Sequence, residues 1–259
     1  MDTSPLCLGG LPILPLSIEE WANLVVSASA EALRNNHQPA YITSANCHLL
    51  TRAARDPELR KCLLDSDGID ADGQPLVWMS RLLKRPIAER TATYELFEAI
   101  ARRADREKLS FYFLGAEEDV SKAAVDAVRQ KYPGIKIAGR RNGYFAVNEE
   151  AQIASGIAAS RPDMLWVGLG APLEHRFVAR NRASLTGVGA IRTCGGLFDF
   201  LSGRKKRAPV WMQKAGLEWL FRLSLEPKRL FWRYALTNPH AIYLLLTTSR
   251  DTWIPKANG

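Results

Sequence analysis

The sequence predicts an α/β protein in which a mostly parallel sheet carries helices on both faces and is followed by a basic, helical C-terminal appendage. Three observations lead to this prediction. From about residue 38 onward, short apolar runs alternate with amphipathic stretches of helical length, which is typical of parallel strands joined by crossover helices. Several of these apolar runs end in glycine. The surplus of positive charge is confined to the last quarter of the chain.

The apolar runs, rich in β-branched and aromatic side chains, give the strands. Strands are predicted at residues 40–44, 109–114, 135–138, 164–167 and 188–193. Three of these runs lead into glycine, at Gly115, Gly168 and Gly195. A further strand is expected to end at Asp72, because Gly73-Gln74-Pro75 directly follows it and starts a helix.

Capping residues mark the helices between the strands. Asp56-Pro57 combines an N-cap carboxylate with a proline in the first turn. Helices are predicted from residue 56 and at residues 76–83, 91–103, 119–132, 148–160 and 172–184. The appendage is predicted to contain two more helices, at 210–225 and 228–247, which begin after Pro209 and at Pro227.

Ligands of such sheets bind beyond the carboxyl ends of the strands. The candidate site is therefore built from the loops that follow the predicted strands, at Asn46, Asp72, Gly115, 168–172 and 195–199.

The appendage differs from the rest of the chain in charge. Residues 201–259 contain eleven Lys or Arg and three acids, whereas residues 1–200 contain 24 of each sign. Four of the seven tryptophans also lie in this last part. We predict a core at 1–202 and an appendage at 203–259. Basic and aromatic residues together suit a membrane surface or nucleic acid, and an ordinary solvated basic face is the plain alternative.

The bulk properties suggest a cytoplasmic protein. Four scattered cysteines show no metal-ligand spacing and are expected to be reduced thiols. We see no basic signal-peptide start, and no apolar run approaches the roughly 20 residues that cross a bilayer. If the protein meets a membrane, we expect it to lie on the inner face.

Two local motifs leave alternatives open. Gly168-Leu169-Gly170 lacks the third glycine of a dinucleotide fingerprint, which disfavours a nicotinamide oxidoreductase, but its backbone N–H groups suit a phosphate. Asp70 and Asp72 have the D-x-D spacing with which metal-dependent sugar-nucleotide transferases hold a cation. Asp72 alone, at the end of a strand, would act as a general base, and we expect Asp70 to point to the opposite face of the sheet. The histidines show neither metal nor hydrolase spacing.

Nine short motifs in order make the chain resemble the WecG/TagA/CpsF family of bacterial glycosyltransferases. They are Ser44-Ala45-Asn46, Asp72-Gly73-Gln74-Pro75, Glu89-Arg90, Phe113-Leu114-Gly115, Gly143-Tyr144-Phe145, the stretch from Pro162 to Pro172, Gly195-Gly196-Leu197-Phe198-Asp199, Arg207-Ala208-Pro209 and Gly216-Leu217-Glu218-Trp219. The resemblance implies a Rossmann-like core and an inverting, metal-independent transfer of a sugar from a UDP-sugar to a saccharide on polyprenyl diphosphate. It also implies an appendage that docks on the membrane, and no cofactor.

The resemblance assigns roles to matching positions. Asp72 matches the general base and Arg90 an arginine of the site, while Ser44 and Asn46 match the polar pair near the acceptor sugar. The donor nucleotide is expected at Gly115, Tyr144, Gly168, Gly170, Glu174 and Asp199. The lipid diphosphate is expected at Arg222, Arg229 and Arg233.

Some positions depart from the family pattern. Leu173-Glu174-His175 replaces the usual Lys-Gln-Glu, which adds a carboxylate near the donor. Thr93, Glu95 and Ala116 are further departures. The sugar is expected to be β-linked, a hexose or an N-acetylhexosamine, with a neutral hexose such as glucose as our specific prediction. Synthesis of exopolysaccharide or another cell-surface glycan is the expected pathway. A homo-oligomer is left open, and nucleic-acid binding is the disfavoured alternative.

Overall fold

The computed structural model describes residues 3–214 and 216–254, with the side chains of Val210, Lys214, Arg229 and Arg233 outside the description. Eight strands are formed: β1 (Leu6–Leu8), β2 (Leu11–Ile13), β3 (Ala40–Ala45), β4 (Gly68–Ala71), β5 (Ser110–Gly115), β6 (Lys136–Arg141), β7 (Met164–Gly168) and β8 (Ala190–Thr193). The last six make one sheet in the order β4-β3-β8-β7-β5-β6, and each of its pairs is parallel. β1 and β2 form a separate antiparallel hairpin.

Helices cover both faces of the six-stranded sheet. They are α1 (Ile18–Asn35), α2 (Cys47–Ala53), α3 (Pro57–Leu64), α4 (Gln74–Leu82), α5 (Thr93–Glu107), α6 (Glu118–Lys131), α7 (Glu150–Ala159), α8 (Leu173–Asn181) and α9 (Leu197–Leu201), with 3-10 turns at Val147–Glu149 and Arg182–Leu185. One face packs against α1, α5, α6 and α9, around Trp166, whose ring centroid lies 4.9 Å from that of Phe97. α7 and α8 pack on the other face. The predicted α/β class is confirmed.

Two parts of the fold were not predicted. The hairpin of β1 and β2 and the long helix α1 precede the first predicted element, and α1 begins with a capping box between Ser17 and Glu20. The helix predicted at 210–225 is divided into α10 (Val210–Lys214) and α11 (Glu218–Leu225). Gly216 lies at the break with a φ of +72°, a left-handed conformation that ends an α-helix and favours glycine.

The appendage packs against the core rather than extending from it. Its longest helix, α12 (Pro227–Thr248), contacts α2 and α4, and Leu245 is buried in the same apolar cluster as β1 and β2. The hydroxyl of Thr51 donates to the carbonyl of Thr237 at 3.1 Å. Beyond α12, the backbones of Cys7 and Arg250 exchange two hydrogen bonds, at 3.1 and 2.8 Å. The division at residue 202 stays a prediction.

No helix within residues 3–214 and 216–254 has the length and apolar character required to cross a membrane.

Candidate active site

The site begins where β3 and β4 end side by side. The backbone N–H of Asp72 donates to the carbonyl of Ala45 at 2.9 Å, which fixes the first residue after β4 against the end of β3. The Asp72 carboxylate is partly exposed and accepts a hydrogen bond from the Thr93 hydroxyl at 3.1 Å. Burial raises the pKa of Asp72, and the neighbouring Arg90 guanidinium opposes the rise. Asp72 is therefore a stronger base than a solvated aspartate.

Arg90 connects the core to the appendage. Its Nη2 lies 2.6 Å from Oε2 of Glu218 on α11, and the two side chains are 23% and 14% exposed. The negative charge of Glu218 also raises the pKa of Asp72. Next to this pair, Arg207 stacks 4.3 Å from the ring centroid of Tyr94 and forms an ion pair with Glu95. The first part of the appendage thus lies at the mouth of the site.

The predicted acceptor residues, Ser44 and Asn46, lie at the end of β3, next to Asp72. Asn46 is the N-cap of α2, where its side-chain oxygen accepts from the backbone N–H of Leu49 at 3.0 Å. Ser44, on β3, accepts a hydrogen bond from Nη2 of Arg192 at 2.7 Å. Strand pairing and capping therefore hold Ser44 and Asn46, two residues apart in the sequence, in fixed positions.

The structure corrects the position predicted for Asp70. Asp70 pairs with Ser44 in the sheet, is fully buried, and its Oδ2 lies 2.6 Å from Nη2 of Arg192. Arg192 also acts electrostatically on Asp72. The expectation that Asp70 points away from Asp72 is wrong, because the two carboxyl groups interact electrostatically with each other and both interact with Arg192. Asp70 is moreover ion-paired in the interior, so it offers no free carboxylate for a D-x-D cation site.

The glycine turns after β7 and β8 lie beside each other and are joined by Glu174. This side chain is 5% exposed, and its Oε2 accepts from the backbone N–H groups of Gly170 at 3.1 Å and Gly195 at 3.0 Å. Burial raises the pKa of Glu174 to about 7, and the two hydrogen bonds oppose the rise. The Gly170 N–H group predicted to meet the donor phosphate therefore already binds a carboxyl group.

The remaining predicted donor residues lie around the ends of β5 and β7. A Cβ on Gly115 would come 2.3 Å from the Gly168 carbonyl oxygen, so only glycine permits this contact. The next N–H, of Ala116, donates to the same oxygen at 3.2 Å. Tyr144 is 72% exposed, and Asp199 forms an ion pair with Lys205 at 2.9 Å.

The three predicted diphosphate arginines are described only in part. Arg222 lies 6.0 Å from the ring centroid of Phe200 at the surface of α11. The side chains of Arg229 and Arg233 lie outside the described residues.

Comparison with known proteins identifies the family. The family model described as "Glycosyl transferase WecG/TagA/CpsF family" matches residues 6–254. The chain belongs to this family. It is accordingly a glycosyltransferase.

Three curated relatives are similar over most of their length. The Bacillus spizizenii protein is 34% identical over 225 residues, which cover 87% of this chain and 86% of the relative. The Bacillus subtilis protein is 35% identical over 219 residues, or 84% of each chain. The protein of Staphylococcus aureus strain NCTC 8325 is 28% identical over 190 residues, or 73% of this chain and 74% of the relative. Each is named an N-acetylglucosaminyldiphosphoundecaprenol N-acetyl-beta-D-mannosaminyltransferase.

Sequence reasoning missed several residues of this WecG/TagA/CpsF site. Arg192 could have been noticed as a lone charge within an apolar strand, because such a charge requires a buried partner. Glu218 lies in the Gly216-Leu217-Glu218-Trp219 motif, but nothing in the local sequence indicates its pairing with Arg90. His175 is 2% exposed, with Nε2 3.1 Å from the Thr43 hydroxyl, and burial lowers its pKa to about 4, so it is a neutral interior residue.

Within the described part, no three His, Cys, Asp or Glu side chains are grouped as metal ligands. The absence of a metal requirement stays a prediction.

Proposed function

We propose that this WecG/TagA/CpsF protein transfers a sugar from a UDP-sugar to a saccharide carried on polyprenyl diphosphate, with inversion at the anomeric carbon. The observation that carries the proposal is the Asp72 carboxyl group, basic for an aspartate and set beside Arg90 at the carboxyl edge of the sheet. The names of the relatives support a lipid-diphosphate acceptor and a β-linked product. They also favour an N-acetylhexosamine over the neutral hexose of our specific prediction.

In the proposed reaction, Asp72 removes the proton of an acceptor hydroxyl as that oxygen attacks the anomeric carbon. The new carbon–oxygen bond forms on the face opposite UDP, and the bond to the phosphate oxygen breaks with its electron pair leaving on UDP. An α-linked donor thus gives a β-linked product. A positioned base of this kind contributes about 10²–10⁴ in rate. The raised pKa brings Asp72 closer to neutral pH, where a general base is most effective.

The leaving UDP gains negative charge, which Arg90 is placed to stabilise without a metal. Arg90 is ion-paired with Glu218, so the substrate phosphate and the Glu218 carboxylate would compete for one guanidinium. Glu174 would compete with the substrate in a similar way at the glycine turns after β7 and β8. Its carboxyl group occupies the N–H groups of Gly170 and Gly195, and it must be protonated or displaced before an anionic donor approaches them.

We further propose that the appendage docks on the inner face of the cytoplasmic membrane. Trp211 and Trp232 are each 65% exposed and Leu236 is 68% exposed, on a basic segment. Trp78 and Leu82 are also exposed, on α4, a helix that α12 contacts. Rings and cations together suit the anionic boundary of a bilayer. The Arg222, Arg229 and Arg233 region would then meet the lipid diphosphate.

The test is an assay of several UDP-sugars against short-chain prenyl-diphosphate glycosides, with product detected by mass. Asp72→Asn should lower turnover at least about a hundredfold while UDP binding is retained. Asp126→Asn, at an exposed surface ion pair, is the matched control. Near-normal turnover in Asp72→Asn would remove the proposed base. Loss of wild-type activity in EDTA would instead favour a metal-dependent transferase, and salt-dependent retention of RNA or DNA a nucleic-acid-binding protein.

A further inference from the structure

A fully buried ion pair lies directly beneath the candidate site. Arg192 on β8 and Asp70 on β4 are both 0% exposed, with 2.6 Å between Nη2 and Oδ2. The strand between them is β3, so the Arg192 side chain crosses one strand of the sheet to reach its partner. On the way, the same Nη2 donates to the hydroxyl of Ser44 at 2.7 Å. One nitrogen therefore ties together three neighbouring strands.

Arg192 is also the cation around which the carboxyl groups of both halves of the site are arranged. Burial raises the pKa of Asp70, of Asp72 and of Glu174, and the positive charge of Arg192 opposes the rise in all three. Its Nε and Nη1 are buried and have no hydrogen-bond partner among the described residues. An apolar pair of the same volume would fill this space without these unmet donors, and would commonly be as stable. Stability alone therefore gives little reason for the pair.

We propose that Arg192 is a positioning residue for the acceptor: braced by Asp70, it fixes the Ser44 hydroxyl at the mouth of the site. The inference rests on the proposed function, since it presupposes that Ser44 contacts the acceptor sugar. A serine hydroxyl rotates freely unless a partner holds it. Because Nη2 donates to Ser44 and the Ser44 hydroxyl hydrogen interacts with the neighbouring Asp70 carboxyl group, the second lone pair of the Ser44 oxygen is left to accept from a hydroxyl of the acceptor sugar.

The test is a double-mutant cycle between Arg192 and Ser44, measured as kcat/KM for the prenyl-diphosphate acceptor. Arg192→Lys keeps the charge but replaces the guanidinium, whose Nη2 contacts both Asp70 and Ser44, with a compact ammonium group on a shorter side chain. It should lower kcat/KM about tenfold, mainly through the acceptor KM, with the donor KM unchanged. Ser44→Ala should cost about the same, and the double variant should also lose about tenfold. Arg180→Lys, at the ion pair with Glu150 on α7, is the control.

An additive loss of about a hundredfold in the double variant would overturn the proposal, as would an unchanged acceptor KM in Arg192→Lys. If Arg192→Lys does not fold, the neutral pair Arg192→Met with Asp70→Asn replaces it, because that pair leaves no buried charge unmatched. It should show the same lack of additivity with Ser44→Ala. Failure of the proposed function is recognised separately, since wild type would then transfer no sugar to the lipid acceptor.

Discussion

The ion pair between Arg90 and Glu218 makes a quantitative prediction about how the appendage is held at the site. In Glu218→Gln the contact of 2.6 Å loses its charge, while both side chains keep their shape. A hydrogen bond between charged groups with this little exposure is worth about 1.5–3 kcal/mol, and because the glutamine amide can still accept from Arg90, the variant should lose only about 1 kcal/mol of it. The population in which α11 has left the core should therefore rise about fivefold. Faster amide hydrogen exchange in residues 203–226 would report this opening.

The same variant changes the pH dependence of activity. Glu218 raises the pKa of Asp72, whereas Arg90 and Arg192 lower it, and Asp70 lies beneath. Removing the Glu218 charge leaves the two arginines less opposed, so the pKa of Asp72 falls. Because the base acts when deprotonated, the acid limb of kcat/KM should move to lower pH.

A matched control separates this effect from the loss of any surface charge. Glu19→Gln breaks an ion pair with Arg102 in which the side chains are 73% and 52% exposed, and such pairs contribute about 0–1 kcal/mol. It should change neither exchange nor the acid limb. The reasoning is refuted if Glu218→Gln behaves like Glu19→Gln in both measurements.

Three other predictions follow from the glycine turns and from the appendage. Glu174→Gln should tighten UDP binding, measured by calorimetry, severalfold at about pH 8 and little at about pH 6, because the Glu174 carboxyl group is charged only above a pKa of about 7. Weaker UDP binding at both pH values would show that the carboxylate is needed to hold the glycine turns. Gly115→Ala should destabilise the fold by about 3 kcal/mol or more, whereas Gly156→Ala, with open space in α7, should stabilise it by up to about 1 kcal/mol, as thermal unfolding would show. Alanine at Trp211 or Trp232 should weaken sedimentation with anionic vesicles about tenfold per ring without lowering the melting temperature, and unchanged sedimentation would contradict membrane docking by this surface.

The sequence allowed the parallel sheet and the loops of the site to be predicted because both depend on local signals. Asp72 was found from the strand end ahead of Gly73-Gln74-Pro75, and Asn46 from its position after β3. The break in the appendage at Gly216 was missed, since the flanking apolar pattern continues across it. Its cause is a single backbone conformation that periodicity does not report.

Long-range partners were beyond local reasoning. The Glu174 carboxyl group meets Gly195, 21 residues away, and Arg90 meets Glu218, 128 residues away. No local sequence pattern predicts a contact between residues this far apart in the chain. Arg192 illustrates a different failure, because its charge was visible in the strand but the strand order that brings it to Asp70 was not.

The backbone exchange between Cys7 and Arg250 decides how the C-terminal region can move. The region is joined to the core covalently at its start, and two main-chain hydrogen bonds attach it again near its far end. Both ends of the region are therefore fixed to the core. Access to the site would then require α10 and α11, in the middle of the region, to move away from the core while α12 remains in place. Cutting the chain after residue 202 would uncover the partners of Leu245 and leave β1 unpaired at this position, so single substitutions dissect the region more cleanly than truncation.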